Sequence, residues 1–227
     1  MSTPVKIRIF RIIITIIVCF SILSGCSEKK SPAKKEQYPI TQVRDTSQLF
    51  DGKTLDGWEI TNFGPQGPVY VSGNEIILGM GEGCTGITWK RAFPRSDYEV
   101  TLDAKRVAGT DFFCGMTFPV GKSPCSFIVG GWGGGTVGLS NIDGKDAAEN
   151  ETTTIRNFEK DRWYKIRLLV SDNYIKAWID TDKVVDLTIG AKKLSIRPEV
   201  NLSRPFGIAS WNTTSAIRNI HLSRIEK

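Results

Sequence analysis

The sequence predicts an all-β domain, a sandwich or barrel, on three observations. Apolar residues from Trp58 onward recur at every second position rather than every third or fourth. No stretch keeps a helical period for more than about two turns. Around a dozen short apolar runs are separated by turns rich in Gly, Asn and Asp, the punctuation of an antiparallel architecture.

The elements follow in order. A strand begins at Trp58, after two Asp-Gly turn signals at Asp51-Gly52 and Asp56-Gly57. Val69 to Ser72 and Glu75 to Leu78 flank Gly73-Asn74 and read as a hairpin, and Ile87 to Lys90 is a further short strand. Tyr98, Val100, Leu102 and Ala104 alternate with Glu99, Thr101, Asp103 and Lys105, which describes a strand with one dry and one wet face. Phe112 to Phe118, Ser126 to Val129 and Val137 to Ser140 also fit short strands. Tyr164 to Val170 turns at Asp172-Asn173 and returns as Tyr174 to Asp180, and Phe206 to Trp211 and Ile217 to Ile225 close the chain.

Residues 1–25 read as a lipoprotein signal peptide. Lys6, Arg8 and Arg11 precede an uncharged run from Ile12 to Ile22, too short to span a bilayer as a helix. Leu23-Ser24-Gly25-Cys26 looks like a lipobox, which makes Cys26 the lipidated N-terminus of the mature protein. Several acyl chains on one residue give stable membrane attachment. Ser27, not Asp, follows the cysteine, and by resemblance to lipoprotein sorting this favours the outer membrane of the cell envelope, with an extracytoplasmic domain. Residues 26–48 carry many charges and almost nothing apolar, and are expected to be a flexible tether.

The formal charge of +6 is concentrated in these leading segments: residues 49–227 hold 22 Lys and Arg against 21 Asp and Glu. A near-neutral domain lacks the basic surface that nucleic-acid binding needs, so no nucleic acid is expected as partner. Nucleotides are not expected either. Gly133-x-Gly135-x-x-Gly138 imitates a dinucleotide motif, but no helix pattern follows it, and Gly121-Lys122-Ser123 lacks the first glycine of a phosphate loop. Of the cysteines, Cys84, Cys114 and Cys125 fall in the domain; they could be one disulfide (Cys114 with Cys125 would close a hairpin-length loop) plus a buried thiol, or three buried thiols.

Histidine is nearly absent. His221, the single one, lies between Ile220 and Leu222 on the last strand and should face solvent, so Ser-His-Asp triads and His-based metal sites are excluded. Acids cluster in one loop, where Asp143, Asp146, Glu149 and Glu151 fall within nine positions. Glu149, Asn150 and Glu151 lead into Thr152 and Arg156; if extended, this stretch would put Glu149 and Glu151 on one face. The glycine run around Trp132 lets backbone approach a ligand and exposes the indole, and acids beside aromatic faces suit sugar recognition. Asp111, after the Gly109 turn, is a second candidate acid. The candidate catalytic residues are therefore Glu149, Glu151, Asp111 and Arg156, with Trp132, Asn150 and Asp143 as candidate substrate contacts. Loop acids could also hold a divalent cation. The Glu-x-Asp-x-x-Glu strand of a two-carboxylate sandwich glycosidase is absent, which argues against ordinary retaining hydrolysis.

The phrase Leu49-Phe50-Asp51-Gly52-Lys53-Thr54-Leu55-Asp56-Gly57-Trp58 resembles the opening of the 3-keto-disaccharide hydrolase family. Arg162 to Arg167, Ile175 to Asp180 and Ile217 to Leu222 extend the likeness over most of residues 49–227. The resemblance implies a concanavalin/laminin-G-like jelly-roll β-sandwich of two antiparallel sheets. It also implies a hydrolase cleaving oxidised glucosides or disaccharides, with carbohydrate as partner. There a 3-keto group makes the C2 hydrogen acidic, a carboxylate removes it, and elimination expels the glycosidic oxygen. Where the family usually has Gly-Asn-Ser-Gly, this chain has Gly109-Thr110-Asp111-Phe112, so no site residue is carried across. A non-catalytic carbohydrate-binding module is the alternative reading of the same fold.

Overall fold

A computed structural model describes residues 43–225. The expected signal peptide (1–25), the expected lipidation site Cys26 and the expected tether as far as residue 42 lie outside the described residues. Fifteen strands are present among those described: β1 Val43–Gln48, β2 Trp58–Ile60, β3 Val69–Ser72, β4 Glu75–Leu78, β5 Cys84–Trp89, β6 Tyr98–Gly109, β7 Cys114–Val120 and β8 Ser123–Gly131. They continue as β9 Thr136–Ser140, β10 Thr154–Ile155, β11 Tyr164–Val170, β12 Tyr174–Ile179, β13 Asp182–Thr188, β14 Gly207–Trp211 and β15 Thr213–Ile225, with one short 3₁₀ helix at Pro198–Ser203.

The strands form two antiparallel sheets, giving the jelly-roll sandwich that the sequence implied. One runs β13-β12-β11-β6-β15-β4-β3, with β1 also paired to β15; the other runs β10-β9-β8-β7-β14-β5-β2. Along β6, Tyr98, Val100, Leu102 and Ala104 are fully buried and their neighbours are not, as the period-two pattern requires. They pack in one core with Cys114, Met116 and Phe118 of β7 and Phe127 and Val129 of β8. Tyr98 Oη donates to Pro119 O across the two sheets at 2.7 Å, which satisfies a buried hydroxyl.

Val43–Gln48 correct the expected tether boundary. They pair with His221–Ile225 as an edge strand, and the Thr46 and Ser223 hydroxyls hydrogen-bond at 2.9 Å. Polar side chains hid this strand, because an edge strand gains its stability from backbone pairing and not from a buried face. Leu49 and Phe50 then enter the core, and the opening phrase proves structural. Asp51 caps the turn through Lys53 N and Thr54 N, and Trp58 Nε1 donates to Leu49 O at 2.7 Å.

The second sheet is covered on both faces, and this creates the candidate site. On its outer face Cys84, Phe112, Ile128, Ala147, Val200 and Ala209 form a second apolar cluster, joined by Phe63, Ile196 and Trp211. Two covering segments lie on that face where glycine lets them close. A Cβ on Gly138 of β9 would stand 3.0 Å from Ala147 O and 3.2 Å from Thr152 O, so the acidic loop rests directly on that strand. A Cβ on Gly207 of β14 would meet Ser203 at 2.7 Å, where the 3₁₀ helix rests on the sheet. All three described cysteines are buried free thiols, so the thiol alternative holds.

Candidate functional site

Between the two covering segments the outer face of the second sheet stays open as a cleft of about 210 Å³. Cys84 of β5, Ser126 and Ile128 of β8, Ser140 of β9 and Trp211 of β14 line its floor, together with Phe112. Asp111, Trp132, Arg197, Glu199 and Val200 form its walls and rim. The floor hydroxyls are occupied within the protein: Ser126 Oγ hydrogen-bonds Thr117 Oγ1 at 2.9 Å, and Ser140 Oγ bonds Asn141 Oδ1 at 2.7 Å. A mostly apolar basin with three charged side chains at its rim is the usual build of a small-molecule site.

Asp111 is fixed by its own backbone. Thr213 Oγ1 accepts from Asp111 N at 3.0 Å, and Asp111 Oδ1 accepts from Phe112 N at 2.7 Å. No described cation pairs with this carboxylate, which leaves its second oxygen for a ligand. Trp132 sits at the β8–β9 turn with a φ of 46°, a left-handed conformation in which Gly130, Gly133 and Gly134 also lie. That turn holds the indole out, 42% exposed. Opposite them, Arg197 donates through Nη2 to Glu199 Oε1 at 2.8 Å and through Nη1 to Asp146 Oδ2 at 3.0 Å. The bond from Arg197 holds the Glu199 carboxyl below its ordinary range. Burial, aided by the Glu199 charge, pushes the Cys84 thiol up to about 12, so at neutral pH it is a protonated, non-nucleophilic part of the floor.

Of the residues singled out in the sequence, Asp111 and Trp132 meet in the cleft. The others do not line it. Glu149, Asn150 and Glu151 lie in turns rather than in an extended stretch, so the two glutamates do not share a strand face. Glu149 is exposed, and Glu151 pairs with Lys192 at 2.7 Å. Asn150 organises the loop: its Nδ2 donates to Leu139 O and Asp146 O, and its Oδ1 accepts from Thr152 N and Oγ1. Asp143 accepts from Lys193 N, and Arg156 pairs with Asp182 at 2.9 Å. Among the described residues no three His, Cys, Asp or Glu side chains converge as a metal-ligand set, and three of the loop acids are committed to Lys193, Arg197 and Lys192; the arrangement does not fit the expected loop cation. Sequence reasoning missed Arg197, Glu199 and Trp211. The available signals were Arg-Pro-Glu at the mouth of a short helix, and a Trp one position out of phase with core-facing Ile208.

The model of the 3-keto-alpha-glucoside-1,2-lyase-like domain matches residues 45–223. The chain belongs to that family. The matched span begins inside β1 and ends inside β15, so the 3-keto-alpha-glucoside-1,2-lyase-like domain takes in nearly the whole described sandwich. No curated protein matches the chain. Among solved structures it is similar to a Bacillus subtilis protein of unknown function with a galectin-like fold (TM-score 0.59, 10% identity, 83% of this chain and 100% of that one). It is also similar to the Crh5 transglycosylase in complex with NAG (TM-score 0.56, 14% identity, 82% and 87%). A third is a provisionally assigned glycosyl hydrolase from Parabacteroides distasonis ATCC 8503 (TM-score 0.55, 15% identity, 80% and 94%). At these identities the likeness is one of fold.

Proposed function

We propose that the cleft binds a 3-keto-glucoside and cleaves its glycosidic bond by elimination, with Asp111 as the base. The observation that carries this reading is that the unpaired carboxylate of Asp111, the Arg197 guanidinium and the exposed face of Trp132 line one cleft in a member of the 3-keto-alpha-glucoside-1,2-lyase-like family. The 3-keto group acidifies the neighbouring C2–H, so a carboxylate suffices as base and no histidine is needed. Asp111 takes the C2 proton, and the electron pair forms an enolate. Its collapse forms the C1–C2 double bond and breaks the bond from C1 to the glycosidic oxygen, which leaves with a proton from solvent. Water adding across the enone completes a net hydrolysis. Arg197 spends one N–H on Asp146 and one on Glu199; its remaining donors stabilise the enolate oxygen. Trp132 stacks on the ring.

Release of glucose from a 3-keto-disaccharide tests this in wild type and in Asp111→Asn. The proposal expects turnover in the first and a drop of roughly 10²- to 10⁴-fold in the second, the usual worth of a general base. Sugar binding without any turnover would favour the binding module. Attachment through Cys26, with the domain outside the cytoplasm, is part of the same proposal and is tested by fatty-acid labelling of the wild type against Cys26→Ala.

A further inference from the structure

The charges around the cleft do not balance. Arg197 is the one cation among its lining residues, and two carboxylates share that cation: Asp146 at 3.0 Å from behind and Glu199 at 2.8 Å on the cleft side. Asp111 adds a carboxylate with no cationic partner among the described residues. The group therefore carries two negative charges in excess. Arg106 keeps its charge, its partner Phe158 O being neutral, but it stands against Gly134 under the glycine turn, outside the lining, and its guanidinium is not presented to the cleft. The floor beneath these groups is apolar, and charge effects are screened less there than on an open surface.

We propose that the cleft selects by charge, admitting sugars without acidic substituents and excluding anionic ones, namely uronic, sulfated and phosphorylated sugars. The inference rests on the cleft being the sugar site. Elimination on a neutral ring moves one negative charge from Asp111 to the enolate and leaves the total unchanged. A carboxylate or phosphate on the ring adds a charge in both the bound and the reacting state, with no free cation to receive it. A hydroxymethyl group asks only for hydrogen bonds.

Binding of methyl 3-keto-glucoside and methyl 3-keto-glucuronide, read from the initial change in tryptophan fluorescence before turnover, is the test. The two probes differ only in a hydroxymethyl against a carboxylate. The expected result is an affinity about tenfold or more lower for the glucuronide at low salt, the discrimination that one extra close charge gives in a partly screened site. The gap should shrink at high salt. It should also shrink in Glu199→Gln, which releases the Arg197 charge, and the salt series reads the same effect in the unaltered protein. Equal affinities, or tighter binding of the glucuronide, would overturn the charge rule while leaving the sugar site standing. Failure of both probes to bind would overturn the site and the rule together.

Discussion

At the scale of single residues, the cleft separates groups that can react from groups that are spent. Asp111 uses one oxygen to hold Phe112 N and keeps the other, whereas Asp146 and Glu199 are tied to Arg197. Cys84 is a tempting nucleophile by position, but with its thiol pushed up to about 12 by burial it stays protonated across the physiological range. Thiol alkylation at neutral pH should leave activity intact, and Cys84→Ser should turn over at near wild-type rate; rapid inactivation protected by substrate would contradict this. Asp111 and Trp132 were legible in the sequence because turn glycines bracket both. Arg197, Glu199 and Trp211 were not, because nothing local says that the segment before β14 and the far end of β14 are brought into one cleft with Asp111.

At the scale of elements, the acidic loop from Asp143 to Thr152 is a wall. Its side chains replace the hydrogen bonds that a loop on a sheet face would otherwise leave unmade, and Asn150 makes most of them. Charge density alone suggested catalysis there; what decides otherwise is that Gly138 lets the loop's backbone, not its carboxylates, face the sheet. Asn150→Ala should cost roughly 1–3 kcal/mol by leaving buried partners unsatisfied, read as a lower denaturant midpoint. Turnover should fall with it through misplacement of Asp146 and Arg197, and the fall should be smaller than in Asp111→Asn. An unchanged midpoint would show that Asn150 does not organise the loop. The strands β3, β4, β11 and β12 were readable from alternation and a tight turn. β10 and β13 were not: β10 is two residues long, and β13 alternates charged with apolar positions only along an edge.

At the scale of the molecule, the sandwich is two sheets sharing one core plus a second apolar face on one of them, and the second face makes the cleft possible. It shows in β7 and β9, whose residues are all buried, which a simple two-layer sandwich does not need; Thr117, Thr136 and Ser140 among them kept it from being legible in the sequence. β1 closes the other sheet along the end of β15. A protein shortened to begin at Leu49 should lose that pairing and the Thr46–Ser223 bond, with Tm falling by several degrees, since each kcal/mol is worth about 2–4 °C at this size. An unchanged Tm would mean that β1 adds nothing to the fold.

In the proposed mechanism Asp111 removes a proton from a sugar held in the cleft. The most direct measurement is exchange of the C2 hydrogen of a 3-keto-glucoside in D2O, followed by NMR in the presence of wild type, Asp111→Asn and Glu149→Gln. Enzyme-dependent loss of the C2–H signal is expected with wild type and Glu149→Gln, and loss at only the uncatalysed rate with Asp111→Asn. Exchange that persists in Asp111→Asn and disappears in Glu149→Gln would contradict it, and would move the chemistry from the cleft to the acidic loop.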